Sequence, residues 1–166
     1  LSEIDADMAQ PQRMMRLLQG DVGSGKTVVA LVAMLNAVEN GEQAVLMAPT
    51  ETLARQHYAT INALLRDSGV TIVLLTGREK GPARKQIFDD LASGKAAIAI
   101  GTHALFQEKV VFHDLAFAVI DEQHRFGVHQ RLTLAEKGTA IDTLVMTATP
   151  IPRTLTLTLY GDLDVS

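Results

Sequence analysis

The stretch that decides the fold of this 166-residue chain is Gly20-Asp-Val-Gly-Ser-Gly-Lys-Thr27. It matches the phosphate-binding loop pattern G-x-x-x-x-G-K-[ST] at every position. An apolar run at 14–18 precedes it and predicts a buried strand, while the run 28–38 predicts a buried helix. A loop between two such elements aims backbone N–H groups and a helix N-terminus at one point, which suits a polyphosphate. The alternative is a plain glycine turn before a helix.

The predicted nucleotide-binding residues follow from the chemistry of that loop. Glycines let the backbone approach a phosphate closely and tolerate turn positions with φ > 0. Lys26 supplies a positive charge for β- and γ-phosphates, and Thr27 supplies a hydroxyl for Mg²⁺. The full predicted set is Gly20, Asp21, Val22, Gly23, Ser24, Gly25, Lys26 and Thr27.

Two adjacent carboxylates form the second half of the predicted site. Asp121 and Glu122 follow the fully apolar run 115–120, which is typical of a central strand in a parallel sheet. Ligands bind at the carboxyl ends of such strands. Asp121 is therefore a candidate for holding Mg²⁺, and Glu122, on the other side of the strand, is a candidate base for an attacking water. The alternative is a helix N-terminus capped by Asp121.

Composition narrows the class of protein. With 47% hydrophobic and 20% charged residues, the chain is expected to form one globular domain. The net charge of −4 argues against a generally basic, nucleic-acid-coating protein. A local basic group comprises Arg78, Lys80, Arg84 and Lys85, for which the alternative is a solvated face. Aromatic residues are scarce, so contacts with nucleic acid are expected to favour backbone phosphates over bases.

The cysteine content, the histidine spacing and the lack of membrane signals exclude further classes of protein and of site. The chain has no cysteine, which excludes disulfides and fits a reducing cytoplasm. Its histidines lack the spacing of metal ligands. The acidic N-terminus does not look like a signal peptide, and the apolar stretch 28–38 is too short to span a bilayer.

Strand and helix signals alternate along the whole chain. Apolar runs predict strands at 14–18, 44–48, 70–75, 96–100, 115–120 and 141–146. Helices are predicted at 53–65, with Thr50 as N-cap and Gly69 as terminator, at 82–93 before Gly94, and at 128–137 before Gly138. This alternation predicts an α/β fold with a mostly parallel central sheet and helices on both faces. The segment 154–159 alternates Thr and Leu, so a strand and a helix after Pro152 both fit.

Several blocks together resemble the first RecA-like domain of superfamily 2 helicases. They are the phosphate loop at 20–27, Ala-Pro-Thr-Glu-Thr-Leu-Ala-Arg-Gln-His at 48–57, Gly-Thr-His-Ala-Leu-Phe-Gln at 101–107, Asp-Glu-Gln-His at 121–124 and Thr-Ala-Thr-Pro at 147–150. The longer strings at 121–131 and 147–154 look like the RecG family of bacterial branched-DNA helicases. The transcription-repair coupling translocase and the primosomal helicase typically have Glu where this chain has Gln123. The resemblance implies a three-layer P-loop NTPase fold with a helix at 154–159.

The resemblance also implies roles for individual residues. Lys26 and Thr27 would bind MgATP, Asp121 would be the metal-side acid and Glu122 the base. Coupling of the nucleotide state to DNA grip would involve Gln123, His124, Thr147, Thr149 and Arg153. Contacts with DNA phosphates would come from Thr50, Arg55, Thr102 and His103, for which turn and cap roles are the alternative.

By the same resemblance, residues 1–166 are one motor domain of a longer protein whose wedge domain and second RecA-like domain lie outside this chain. The implied function is an ATP- and Mg²⁺-dependent DNA helicase or translocase that remodels forks and Holliday junctions in recombination and repair, in the bacterial cytoplasm and without a membrane partner. The arginine finger of the second domain is worth on the order of 10³–10⁵ in rate. The isolated chain is therefore expected to bind nucleotide weakly and hydrolyse it negligibly. Alternatives are a repair-coupling translocase and a nucleotide-binding regulatory module without motor activity.

Overall fold

A computed structural model describes residues 2–9, 15–19, 25–121, 137, 141–147 and 164–165. The helices in this part of the chain are α1 (Ser2–Met8), α2 (Lys26–Glu39), α3 (Glu51–Leu64) and α4 (Gly81–Ser93), with a 3₁₀ turn at His103–Phe106. The strands are β1 (Met15–Gln19), β2 (Gln43–Met47), β3 (Ile72–Leu75), β4 (Ile98–Gly101), β5 (Leu115–Asp121), β6 (Asp142–Thr147) and β7 (Asp164–Val165). None of these helices is long and apolar enough to cross a membrane.

The described strands form one sheet in the order β3-β4-β2-β5-β6-β1-β7. Every pairing between them is parallel, so the predicted mostly parallel sheet is confirmed. The six predicted strands are present with bounds within two residues of those expected. The strand β7, the helix α1 and the 3₁₀ turn were not predicted, because each is too short to give a clear periodic pattern.

Apolar side chains on the two faces of the sheet build two separate cores. On one face, Val119 and its sheet neighbours pack with residues of α1, α2 and α3, including Met34 and Ile61. On the other, Ile120 packs with α4 through Leu91 and with the 3₁₀ turn. Alternating strand residues point to opposite faces, so one apolar strand serves both cores. The predicted three layers, helix, sheet and helix, are therefore confirmed.

The observed ends of α3 and α4 can be compared with the cap and terminator residues predicted from the sequence. The Thr50 hydroxyl accepts a hydrogen bond from the backbone N–H of Leu53 at 3.2 Å, as expected of an N-cap. Gly94 follows α4 with φ 84°, the left-handed conformation expected of a C-terminal glycine. The prediction that Gly69 terminates α3 is wrong. The helix ends at Leu64 because the carbonyl of Leu65 is taken by the backbone N–H and hydroxyl of Ser68.

Two further predicted helices lie almost entirely outside the residues that the structure describes. Except for Lys137, the segment 128–137 lies outside the described residues, as does the whole of 154–159. The helix after the phosphate loop begins at Lys26, two residues before the predicted start, so Lys26 and Thr27 belong to its first turn.

Candidate nucleotide and nucleic-acid site

The predicted site residues that the structure describes lie along the carboxyl edge of the sheet, the edge at which its parallel strands end. Asp121 ends β5 and pairs in register with Met146, and Thr147 ends β6 opposite Gln19, the last residue of β1. Neighbouring strands are about 4.8 Å apart. The strand that ends at Asp121, the candidate metal-side acid, therefore lies beside the strand that ends at Thr147, the candidate coupling residue, which in turn lies beside the strand that leads to the phosphate loop.

The helix α2 begins at this edge with the residues that the loop motif singled out. Gly25 precedes the helix with φ 84° and ψ 14°, a left-handed conformation that favours glycine. Lys26 and Thr27 follow in the first turn, at the positive end of the helix dipole. Residues 20–24 lie outside the described part of the chain. The described end of the motif thus has the backbone geometry that anion binding at a helix N-terminus uses.

Asp121 has a partner that the sequence did not indicate. Nε2 of His57, on α3, lies 2.6 Å from Oδ2 of Asp121, and the two side chains are only 14% and 24% exposed. Because an ionised carboxylate can only accept, the N–H of this pair belongs to His57. Among the described residues Oδ1 of Asp121 has no hydrogen-bond partner, so one carboxylate oxygen is held while the other stays available.

His57 could have been suspected from helix periodicity. It lies three residues after Ala54 and four before Ile61, which are both fully buried on the inner face of α3. Residues three and four apart share a helix face, so His57 had to point towards the sheet. The sequence did not show which strand end it would meet.

The structure describes only some of the residues that were predicted to take part in coupling or catalysis. Thr147 is 3% exposed and makes contacts at the end of β6. The other members of this set, Glu122, Gln123, His124, Thr149 and Arg153, lie outside the described residues. Their roles stay predictions.

Two of the four candidate DNA contacts are also helix caps. Thr50 caps α3, and the hydroxyl of Thr102 accepts from the backbone N–H of Ala104 at the start of the 3₁₀ turn. His103, next to it, is exposed. Thr50 and Thr102 follow the adjacent strands β2 and β4, so they lie on the half of the carboxyl edge away from β1, the strand that leads into α2. Capping and phosphate contact are compatible here, because a capping hydroxyl accepts a hydrogen bond and can still donate its own proton.

Arg55, the remaining candidate, is held by acidic side chains. Its Nε lies 3.1 Å from Glu51, and its Nη2 lies 2.9 Å from Glu79. Burial raises the pKa of Glu79, but hydrogen bonds from the hydroxyl and backbone N–H of Thr76 and from Arg55 outweigh it, so the net pKa is lowered. Arg55 therefore connects α3 to the loop after β3, and a phosphate would have to compete with two carboxylates for it.

The local basic group divides into an anchored and an exposed part. Arg84 donates to the carbonyls of Thr76 and Glu79 and lies over the ring of Phe88, so it fixes the loop after β3. Arg78 is 74% exposed, although its Nε contacts Glu51 at 2.6 Å. Lys80 and Lys85 are exposed as well. Arg78 lies beside Arg55, because both side chains contact Glu51.

Comparison with known proteins places this geometry in a family. The family model described as DEAD/DEAH box helicase matches residues 5–158. The chain is 53% identical to the ATP-dependent DNA helicase RecG of Pasteurella multocida over 99% of its length, and 53% identical to that of Bacillus subtilis over 100%. It spans 24% of each of these relatives. A solved structure of RecG bound to a three-way DNA junction superposes with a TM-score of 0.85 at 48% identity, covering 99% of this chain and 22% of that one.

The chain belongs to the DEAD/DEAH box helicase family. Its RecA-like helicase fold, expected from the sequence, is confirmed by both the sheet topology and the solved relative.

Proposed function

We propose that this chain is the first RecA-like motor domain of an ATP-dependent DNA helicase or translocase that remodels branched DNA in recombination and repair. One observation carries the proposal. A single sheet edge brings the start of α2, Asp121 and Thr147 together on one half and Thr50 and Thr102 on the other. An edge that carries both a nucleotide site and a nucleic-acid site suits a motor, because a rearrangement at the nucleotide site can then alter the contacts with nucleic acid. The likeness to RecG supports the branched-DNA substrate.

The proposed nucleotide chemistry at the phosphates and the attacking water divides among three residues. Lys26 neutralises charge on the β- and γ-phosphates, and the amide groups at the start of α2 hold them in place. Glu122, as the base, orients the attacking water. Asp121 is the last residue of β5 and comes just before Glu122. Its carboxylate lies on the face of the sheet that α3 covers. Phosphoryl transfer needs little beyond such positioning and charge stabilisation.

Mg²⁺ fits the donor groups at this edge. Thr27 offers a hydroxyl and Asp121 a carboxylate, the hard oxygen ligands that Mg²⁺ prefers together with waters and phosphate oxygens. We therefore assign the metal to these two residues, with Asp121 acting through water. When bound, Mg²⁺ neutralises charge that develops on the transferred phosphoryl group.

On the nucleic-acid side, backbone phosphates are the proposed ligands. The groups available there are two capping threonines, His103 and exposed cations such as Arg78, with no cluster of aromatic side chains in that part of the described chain. Such a set positions a strand without reading its sequence. The remaining coupling residues, Gln123, His124, Thr149 and Arg153, would report the nucleotide state to this side.

The rest of the motor is assigned to other parts of a longer protein. Relatives about four times the length of this chain support a second RecA-like domain that closes on the nucleotide and supplies an arginine finger. Binding of ATP closes the cleft between the two domains, hydrolysis reopens it, and alternating grip on phosphates moves the DNA. The isolated 166-residue chain should then bind nucleotide weakly and turn it over negligibly. We also propose a location in the bacterial cytoplasm; the bacterial source of these relatives supports its bacterial part.

The deciding experiment is the ATPase rate of the full-length protein with no DNA, with linear duplex and with a model fork. Salt is kept constant because phosphate contacts are strongly salt-dependent. Fork DNA should stimulate the rate most, and Glu122→Gln should abolish turnover while sparing ATP binding, since binding does not need the base. Equal rates under all three conditions would rule out the DNA motor and favour a nucleotide-binding regulatory module.

A further inference from the structure

The hydrogen bond between α3 and β5 joins two elements that are distant in sequence. His57 and Asp121 are 64 residues apart, yet Nε2 and Oδ2 lie 2.6 Å from each other. A distance this short is typical of a charge-assisted hydrogen bond. Both side chains are mostly removed from solvent, at 14% and 24% exposure, so water competes weakly for either group.

The backbone around His57 is rigid enough to fix its position. The helix α3 is capped at its start by Thr50, and it is anchored to the core by Ala54 before His57 and Ile61 after it. On its other side Arg55 ties the same turn to Glu79. The imidazole is therefore presented from a helix that is held at several points, and it contacts the one carboxylate that the proposed function assigns to the metal.

We propose that His57 is a positioning residue for Asp121, holding Oδ2 so that Oδ1 faces the metal side of the nucleotide site. The proposal rests on the assignment of Asp121 to Mg²⁺ made above. Without the imidazole, the carboxylate is free to rotate about its terminal bond, since such torsions have broad minima. Groups that hydrogen-bond to a metal-binding carboxylate set its orientation, and their loss typically weakens metal affinity about 10–100-fold.

The test compares metal affinity among variants of the full-length protein. His57→Leu removes the donor, His57→Ala removes it without adding bulk, and His57→Gln keeps an N–H at the distance of Nε2. His113→Leu is the matched control, because His113 is an exposed histidine just before β5, at the opposite edge of the sheet. Mn²⁺ replaces Mg²⁺, and its binding to the protein–ADP complex is followed by the loss of the free-ion paramagnetic resonance signal.

The donor-free variants should bind Mn²⁺ about tenfold more weakly than the wild type, while His57→Gln and His113→Leu should stay within about threefold. Binding of fluorescent ADP in EDTA should be the same for all of them, because the proposed effect acts through the metal. Wild-type Mn²⁺ affinity in the donor-free variants would overturn the proposal. So would a loss in His57→Gln as large as in His57→Leu, since the ring would then act by packing alone.

This outcome is separable from that of the proposed motor. Wild-type protein that binds Mn²⁺ and ADP but shows no stimulation by DNA would refute the motor and leave the role of His57 standing. A DNA-stimulated enzyme whose Mn²⁺ affinity does not depend on His57 would refute the role of His57 and leave the motor standing. Circular dichroism of each variant shows that it is folded before either conclusion is drawn, and His57→Ala replaces His57→Leu if the larger side chain disturbs α3.

Discussion

The two edges of the sheet use polar residues in opposite ways. At the carboxyl edge, donors surround the acids. Glu79 accepts from Thr76 and Arg55, which lowers its pKa below the ordinary value despite its burial, and Asp121 accepts from His57. At the amino edge, where the strands begin, acids face one another. Burial raises the pKa of Glu42, and repulsion from Asp114 and Asp142 raises it further.

A buried polar side chain at the amino edge is engaged through both its amide nitrogen and its carbonyl oxygen. Gln43, 3% exposed at the start of β2, donates to the carbonyls of Leu91 and Ala96 and accepts from the backbone N–H of Asp114. Its polar atoms are thus committed to holding α4 and β5 together. In the described part of the chain, the carboxyl edge instead leaves the hydroxyl protons of Thr50 and Thr102, the exposed side chains of Lys80 and Lys85, and Oδ1 of Asp121 available to a ligand. This contrast agrees with the proposal that the carboxyl edge binds ligands while the amino edge stabilises the fold, and substitutions can test it.

The largest effect is expected where the carboxyl edge is also tightly packed. A Cβ at Gly101, the last residue of β4, would lie 2.0 Å from the carbonyl oxygen of Leu75 and 3.0 Å from Leu105. Gly101→Ala should lower the free energy of unfolding by about 3 kcal/mol or more, because backbone must move to admit the methyl group. Urea unfolding of the 166-residue chain measures this. Gly77→Ala is the control, since nothing lies within 4 Å of its Cβ position, and similar small changes for both would contradict the packing argument.

The next largest effect on stability is expected at Gln43, on the amino edge of the sheet. Gln43→Met keeps the shape of the side chain but leaves the carbonyl of Ala96 and the backbone N–H of Asp114 without their partner, while the carbonyl of Leu91 still accepts from the backbone N–H of His113. The loss should cost about 2 kcal/mol of unfolding free energy. Nucleotide and DNA affinity of the full-length protein should be unchanged. Gln56→Met, at an exposed position of α3, is the matched control for stability. If Gln43→Met reduced nucleotide affinity at full stability, the division between the edges would be wrong.

A smaller effect separates the two roles of Thr50. Thr50→Ala should lower the unfolding free energy by about 1 kcal/mol through loss of the cap on α3. Thr50→Asp keeps a capping oxygen and therefore stability, but its negative charge should weaken DNA binding by repelling a phosphate. Urea unfolding and DNA titration of the full-length protein measure the two properties. An Asp variant with unchanged DNA affinity would leave Thr50 as a cap alone.

The smallest effect has a defined sign with pH. Because the pKa of Glu42 is raised in the folded state, its ionised form is disfavoured there, and this penalty is relieved as pH falls through the raised pKa. Glu42→Gln should therefore stabilise the chain at pH 7 by about a few tenths of a kcal/mol, reduced by solvent screening, and the gain should vanish in acid. Thermal unfolding at several pH values checks this. Glu108→Gln, at an exposed position outside the acidic group, is the control, and a Glu42→Gln gain that grows in acid would contradict the assignment.

Much of the candidate site could be predicted because its signals are local. The position of Asp121 at the end of a central strand followed from the unbroken apolar run before it, and the left-handed Gly25 followed from the loop pattern. The ion pair of Arg55 with Glu79 and the contact of His57 with Asp121 could not be predicted. Each joins residues more than twenty positions apart, and no periodic pattern records which partners a fold brings together.

The sequence by itself determined the alternation of strands and helices, the parallel sheet and the phosphate loop, because these depend on apolar periodicity and on short motifs read within one segment. Tertiary structure alone decided the strand order, which places Asp121 and Thr147 near the strand that leads into α2, and the packing of α3 on the sheet, which brings His57 to the end of β5. The physical reason is that burial drives each apolar face to be covered without specifying which polar groups at the edges then meet. That meeting is set by packing of the whole domain.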